Sequence, residues 1–175
     1  MKSALAFLAL AFVFVFGISA PAASEELGQW AVDFAATTID GKAIDLSANF
    51  KGKLVLMDFW ATWCEPCMEE VPGLVAAFQK YGGPKLGFLG ITLDGRGDLK
   101  KVQTTMKKFG MTWPQIFDEG SDVDGKGQIT AVYLVDAIPA PFLIDGDTGK
   151  IVARDSQLRG PSLAKTLEAA IKAKK

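Results

Sequence analysis

The chain contains no histidine and only two cysteines among its 175 residues. Without histidine there is no Ser-His or Cys-His nucleophile pair and no imidazole to ligate a metal. Two cysteines alone do not complete a structural zinc site. An excess of one charge is also missing: 19 basic residues face 20 acidic ones, and only residues 172–175 form a short basic tail. Nucleic-acid binding needs a basic patch or stripe, so no DNA or RNA partner is expected. Repeats and low-complexity linkers are absent from the sequence. The longest apolar run falls short of the roughly 20 residues that a membrane-spanning helix needs.

That run lies at the N-terminus. Lys2 precedes an unbroken apolar stretch over residues 4–18, which ends in small residues and Ala20-Pro21-Ala22. The pattern is that of a secretory signal peptide, so residues 1–22 are expected to be a cleaved leader, with an N-terminal anchor as the alternative. Residues 23–175 are then expected to form one domain, since about half the chain is apolar and its length suits a single core. Export bears on the two cysteines, because outside the cytosol a pair can persist as a static disulfide.

Within the domain, the periodicity changes in a regular order. Residues 25–53 alternate apolar and polar side chains around Asp40-Gly41-Lys42, which predicts a small antiparallel start. The continuous apolar run 54–59 predicts a central strand covered on both faces. Val71, Leu74, Val75 and Phe78 follow helical spacing up to Gly82-Gly83-Pro84, and residues 86–93 predict a second buried strand. Strand, helix, strand implies a right-handed parallel crossover. Leu99, Val102, Met106 and Phe109 predict an amphipathic helix closed by Gly110, with an extended stretch from Trp113-Pro114. Residues 141–144 and 151–154 are expected to be two sheet-edge strands joined by a hairpin turn, followed by a closing helix through Leu163, Leu167 and Ile171.

The cysteines stand as Cys64-Glu65-Pro66-Cys67 directly after the apolar run, with a helical pattern starting at Cys67. That places the first sulfur at a helix N-terminus, where partial positive charge favours thiolate, so Cys64 is the expected nucleophile. The two-residue spacer lets the sulfurs reach bonding distance. Pro66 cannot donate a hydrogen bond and leaves the other amides of the first turn free to face Cys64. Glu65 acts in the opposite sense: its carboxylate destabilises a neighbouring thiolate, which points to a reductant rather than a strong oxidant. Once Cys64 has attacked a substrate disulfide, Cys67 must lose its proton to resolve the mixed disulfide. Asp58, a carboxylate inside an apolar strand, is the candidate acceptor, with a pKa raised by burial; a partly exposed strand-edge aspartate is the plainer alternative. Trp63, beside Cys64, is expected to shape the exposed apolar surface around the sulfur.

This order of elements, with Cys-x-x-Cys at the first strand-to-helix junction, resembles the thioredoxin fold: an α/β fold with a central mixed sheet flanked by helices. Asp58-Phe59-Trp60-Ala61-Thr62-Trp63-Cys64-Glu65-Pro66-Cys67 resembles the active-site signature almost residue by residue, and Pro72 matches the proline that kinks the active-site helix. Ala137-Ile138-Pro139-Ala140-Pro141-Phe142-Leu143-Ile144-Asp145 resembles the second hallmark. That match implies a cis Pro139 facing the cysteines and backbone groups of Ile138 free to pair with a substrate strand. Ala140 and Pro141 depart from the hydroxyl residues frequent there.

The Glu-Pro dipeptide, the exported N-terminus, the N-terminal strand extension and the central insertion between Leu93 and Ala137 are together similar to the TlpA/ResA branch of membrane-facing thiol-disulfide oxidoreductases. The resemblance implies an enzyme whose only cofactor is its own Cys64-Cys67 pair. It also implies a reducing role toward protein disulfides outside the cytoplasmic membrane, apocytochrome c among them, with a membrane thiol carrier as electron donor. A disulfide-donating oxidase or isomerase and a binding module with a static disulfide are the competing readings. Asp94 falls near the acidic residue that ResA-like proteins keep by the active site, with Gly95 as the other choice for that position. A peroxiredoxin would share the fold, but Met57 and Ala61 replace that family's proline and threonine. The stretch from Asp122 to Gly127 is similar to a calcium loop, yet Lys126 occupies a ligand position and Tyr133 replaces the final glutamate, so a surface loop is expected.

Overall fold

The computed structural model describes residues 30–118 and 127–174. The predicted leader and most of the loop over residues 122–127 lie outside the described residues.

In the N-terminal extension, β1 (Ala35–Thr37) and β2 (Ala43–Asp45) pair antiparallel around Gly41, whose φ of 82° suits a residue without a β-carbon. The short helix α1 (Leu46–Asn49) follows, with the Asp45 carboxylate accepting from the amide of Ala48. Next come β3 (Leu54–Trp60), α2 (Glu65–Tyr81), β4 (Leu86–Thr92), α3 (Leu99–Phe109) and β5 (Gln115–Phe117). The chain ends with α4 (Gln128–Val132), β6 (Ala140–Asp145), β7 (Ile151–Arg154) and α5 (Ser162–Ala173). Gly110 closes α3 at a φ of 80°, as its sequence position predicts.

The five-stranded sheet has the order β5-β4-β3-β6-β7, with β3, β4 and β5 parallel and β6 and β7 antiparallel. The predicted parallel crossover β3-α2-β4 is present, as are the mixed sheet, the N-terminal extension and the central insertion. Two expectations are corrected. Residues 141–144 were expected at a sheet edge, but β6 lies between β3 and β7, with partners from Leu54 and Asp145 to Phe59 and Ala140. Pro141 suggests an edge, whereas Phe142, Leu143 and Ile144 in succession are the mark of a strand buried on both faces, and burial decides. Helix α2 begins at Glu65 rather than Cys67, because Pro66 is well suited to a first helical turn, where its missing N–H costs nothing.

Alternation along β3 divides the core into two layers. Leu54, Leu56 and Trp60, with Leu143, meet Cys67, Val71 and Leu74 of α2 and Leu163 and Leu167 of α5. Val55, Met57 and Phe59, with Phe142 and Ile144, meet Phe50, Ile129 and Tyr133 on the other side. Asp58 shares its face with Leu56 and Trp60, so it enters the layer that holds the cysteines.

Candidate active site

The chain leaves β3 at Trp60 and turns through Ala61-Thr62-Trp63 into the cysteine pair. Asp94, just past β4 and 1% exposed, fixes this turn. Its carboxylate accepts from the amide and hydroxyl of Thr62 at 2.8 and 2.5 Å and from the hydroxyl of Thr92 at 2.7 Å. A buried carboxylate with three donors costs little to desolvate, so Asp94 ties the cysteine loop to the end of β4. Gly95 does not make this tie; it lines the groove beside the loop.

Cys64 is the N-cap of α2, and its Sγ accepts from the Cys67 amide at 3.2 Å. Cys64 and Cys67 are joined in a disulfide with their Cα atoms 5.2 Å apart. The side chains are 5% and 1% exposed. Only Cys64 borders a groove of about 920 Å³, whose wall also includes Trp63, Glu65, Pro66, Asp136 and Ile138. The Ile138 carbonyl oxygen lies 3.7 Å from Cys64 Sγ, and the Ile138–Pro139 peptide bond is cis. Glu65 and Pro66 are both exposed on the first turn of α2. Trp63 is 61% exposed while Trp60 is 1% exposed, so neighbouring tryptophans serve surface and core respectively.

Asp58 is 7% exposed and sits between Gly90 of β4 and Pro141 of β6. Burial, reinforced by the negative charge of Glu70 and opposed by Arg159, pushes its pKa up to about 7. Glu70 is itself held by Arg159 Nε at 3.3 Å and by the Gly160 amide at 2.9 Å. A carboxyl group that titrates near neutrality, in the same layer as Cys67, has the proton affinity to take up and return a proton. Sequence reasoning missed Gln115. The indole N–H of Trp60 donates to its Oε1 at 2.9 Å, deep in the same layer. The available signal was a glutamine at the start of the otherwise apolar Gln115-Ile116-Phe117. Among the described residues, no group of three or more acidic or cysteine side chains could hold a metal ion.

The chain's relatives carry the same chemistry. The model of the AhpC/TSA family matches residues 27–154. The thiol-disulfide oxidoreductase ResA of Bacillus thuringiensis subsp. konkukian is 34% identical over 147 residues, covering 84% of this chain and 78% of that protein. The solved thioredoxin domain of a Bacteroides vulgatus thiol-disulfide oxidoreductase is 29% identical with a TM-score of 0.69, over 82% of this chain and 96% of that one. A secreted Mycobacterium tuberculosis disulfide oxidoreductase, described as homologous to E. coli DsbE, is 26% identical with a TM-score of 0.61, over 84% and 99% of the two chains. The chain therefore belongs to the AhpC/TSA thioredoxin-like family and is a thiol-disulfide oxidoreductase akin to ResA.

Proposed function

We propose that this oxidoreductase works in the reducing direction outside the cytoplasm, as a domain of residues 23–175 released from a leader over residues 1–22. The observation that carries the reading is the setting of Cys64. Its sulfur caps α2, receives the Cys67 amide and borders the groove, while the next residue brings an exposed carboxylate, Glu65, to the same turn. The helix terminus activates the thiolate, and Glu65 opposes it enough to keep the dithiol a donor of electrons. The apolar leader pattern supports export, and the M. tuberculosis neighbour is described as secreted.

In the reduced protein, Cys64 thiolate attacks one sulfur of a substrate disulfide, and the other substrate sulfur leaves as a thiolate. Cys67 gives its proton to Asp58 and attacks Cys64 Sγ, which releases the second substrate thiolate and leaves the Cys64–Cys67 disulfide. Two electrons pass to the substrate, so the internal cysteine pair is the redox carrier. The backbone of Ile138 beside Pro139 pairs with the substrate strand, and Trp63 covers its apolar side chains. The substrates are protein disulfides, apocytochrome c among them, and a membrane thiol carrier restores the dithiol.

Equilibration of the mature chain in dithiothreitol or glutathione buffers, followed by tryptophan fluorescence, tests the direction. A reversible transition near or below roughly −270 mV is expected. A transition near roughly −120 mV would make the protein a disulfide donor. A bond that resists exchange would make it a binding module.

A further inference from the structure

Gln115 is a buried polar residue that the thiol chemistry leaves unused, and it lies in the same row of the sheet as Asp58. Pro141, Asp58, Gly90 and Gln115 are successive partners across β6, β3, β4 and β5. Partners in a row face the same side, and neighbouring strands are about 4.8 Å apart. Between Asp58 and Gln115, Gly90 contributes no side chain, and the glutamine occupies the space. A β-carbon on Gly90 would lie 1.8 Å from Gln115 Oε1 and 2.6 Å from its Nε2. The carboxamide therefore lies over β4, one strand spacing from Asp58, instead of over its own strand.

Its orientation is fixed. The indole N–H of Trp60 is a donor only, so it must meet the carboxamide oxygen, which it does at 2.9 Å. The amide nitrogen then faces away from the indole. Gln115 is 1% exposed, and its Nε2 has no hydrogen-bond partner among the described residues. A buried amide donor without an acceptor is costly, and an acceptor stands in the same row: the carboxylate of Asp58. The other charged groups that bear on Asp58 are Glu70 of α2 and Arg159 ahead of α5, with Cys67 in the same layer. Gly90 and Pro141, its neighbours on β4 and β6, bring no charge.

We propose that Gln115 is a positioning residue for Asp58: locked by Trp60, it presents its Nε2–H group to the ionised carboxylate through one bridging water. The hydrogen bond is strong while Asp58 is charged and weak once Asp58 is protonated. Gln115 thereby sets how readily Asp58 gives up its proton within an apolar layer. The inference rests on Asp58 as the proton acceptor.

The test is the pH–rate profile for single-turnover reduction of a model peptide disulfide by the full chain, for wild type, Asp58→Asn, Gln115→Met and Trp60→Phe. In wild type, two ionisations shape the acidic side of the profile, Cys64 to thiolate and Asp58 to carboxylate; Asp58→Asn removes the Asp58 limb and leaves that of Cys64. Gln115→Met keeps the side chain's size but has no donor, so the Asp58 limb moves to higher pH. Exchange is then about tenfold slower on the limb and unchanged well above it. Trp60→Phe frees the carboxamide and moves the limb the same way by less. In an Asp58→Asn background, Gln115→Met changes nothing further. A profile that Asp58→Asn leaves unaltered would overturn the Asp58 reading. A limb that disappears in Asp58→Asn but stays in place in both Gln115→Met and Trp60→Phe would overturn the role of Gln115 alone. Should Gln115→Met fail to fold, the carbon-13 titration of the Asp58 carboxyl group in Trp60→Phe decides, with an upward shift expected and no shift overturning the inference.

Discussion

The two faces of β3 carry different loads. Val55, Met57 and Phe59 enter a layer of aliphatic and aromatic side chains, where Phe59 meets the rings of Tyr133 and Phe142, each with centroids 5.8 Å away. One residue out of step, Asp58 interrupts the row between Leu56 and Trp60, on the side where the cysteines lie. The backbone is shared and every position of the strand is buried, so the difference lies in side-chain chemistry alone. One face holds the fold together at little electrostatic cost. The other gives up stability to keep a titratable group in the layer that holds the cysteines, and stability and activity should therefore respond separately to substitutions on the two faces.

The most severe break falls on the reactive face. Cys64→Ser is expected to abolish disulfide exchange while leaving the far-ultraviolet circular dichroism unchanged, since the hydroxyl can still cap α2. On the opposite face, Phe59→Ala should lower the unfolding free energy by about 3–5 kcal/mol in denaturant titrations. Its reduction potential and the pH of its exchange limb should match wild type, because the substitution leaves both Asp58 and the cysteines in place.

Asp58→Asn separates the two roles of its own face. Exchange at neutral pH should fall about 100-fold, the scale of a lost general base. Stability should move the other way. The folded chain binds the Asp58 proton up to about pH 7, whereas the unfolded chain releases it near 3.8. Between those values the folded state holds more protons than the unfolded state, so stability falls as pH rises through the window. The full penalty, up to about 4 kcal/mol above pH 7, is absent below pH 4. Urea titrations across this range should show that slope in wild type and a flatter curve in Asp58→Asn. A subtler adjustment comes from Glu70, whose charge raises the Asp58 pKa. Glu70→Gln should move the exchange limb to lower pH by less than about one unit, since Arg159 is then left to favour the carboxylate.

How much of this was legible in the sequence follows from the range of the forces involved. The cysteine spacing, the apolar run of β3, the periodicity of α2 and α3 and the glycine at the end of α3 are local patterns, and each gave the right element. Pro141 misled because a proline's effect depends on which neighbour its strand pairs with, and pairing is a long-range fact. Pro66 delayed the expected start of α2 because the apolar spacing of the helix becomes regular only after it. The function of Asp94 was legible only as nearness to the site, since its donors Thr62 and Thr92 come from two different strand ends. The polar start of β5 marked Gln115 as unusual, but its role was hidden for the same reason: its neighbours Trp60 and Gly90 lie on other strands.

The gap that Gly90 leaves for Gln115 has a consequence for how this site can vary. A single methyl group at residue 90 would strike the carboxamide at 1.8 Å, so Gly90 cannot acquire a side chain while the glutamine keeps its place. Among relatives, the two positions should change together: chains with a short or β-branched residue at the equivalent of 115 are free to carry alanine at the equivalent of 90, and chains with glutamine there are not. The Asp58 side of the sheet is in that sense heritable as a pair, with Gly90 as the constraint on the buried carboxamide of Gln115.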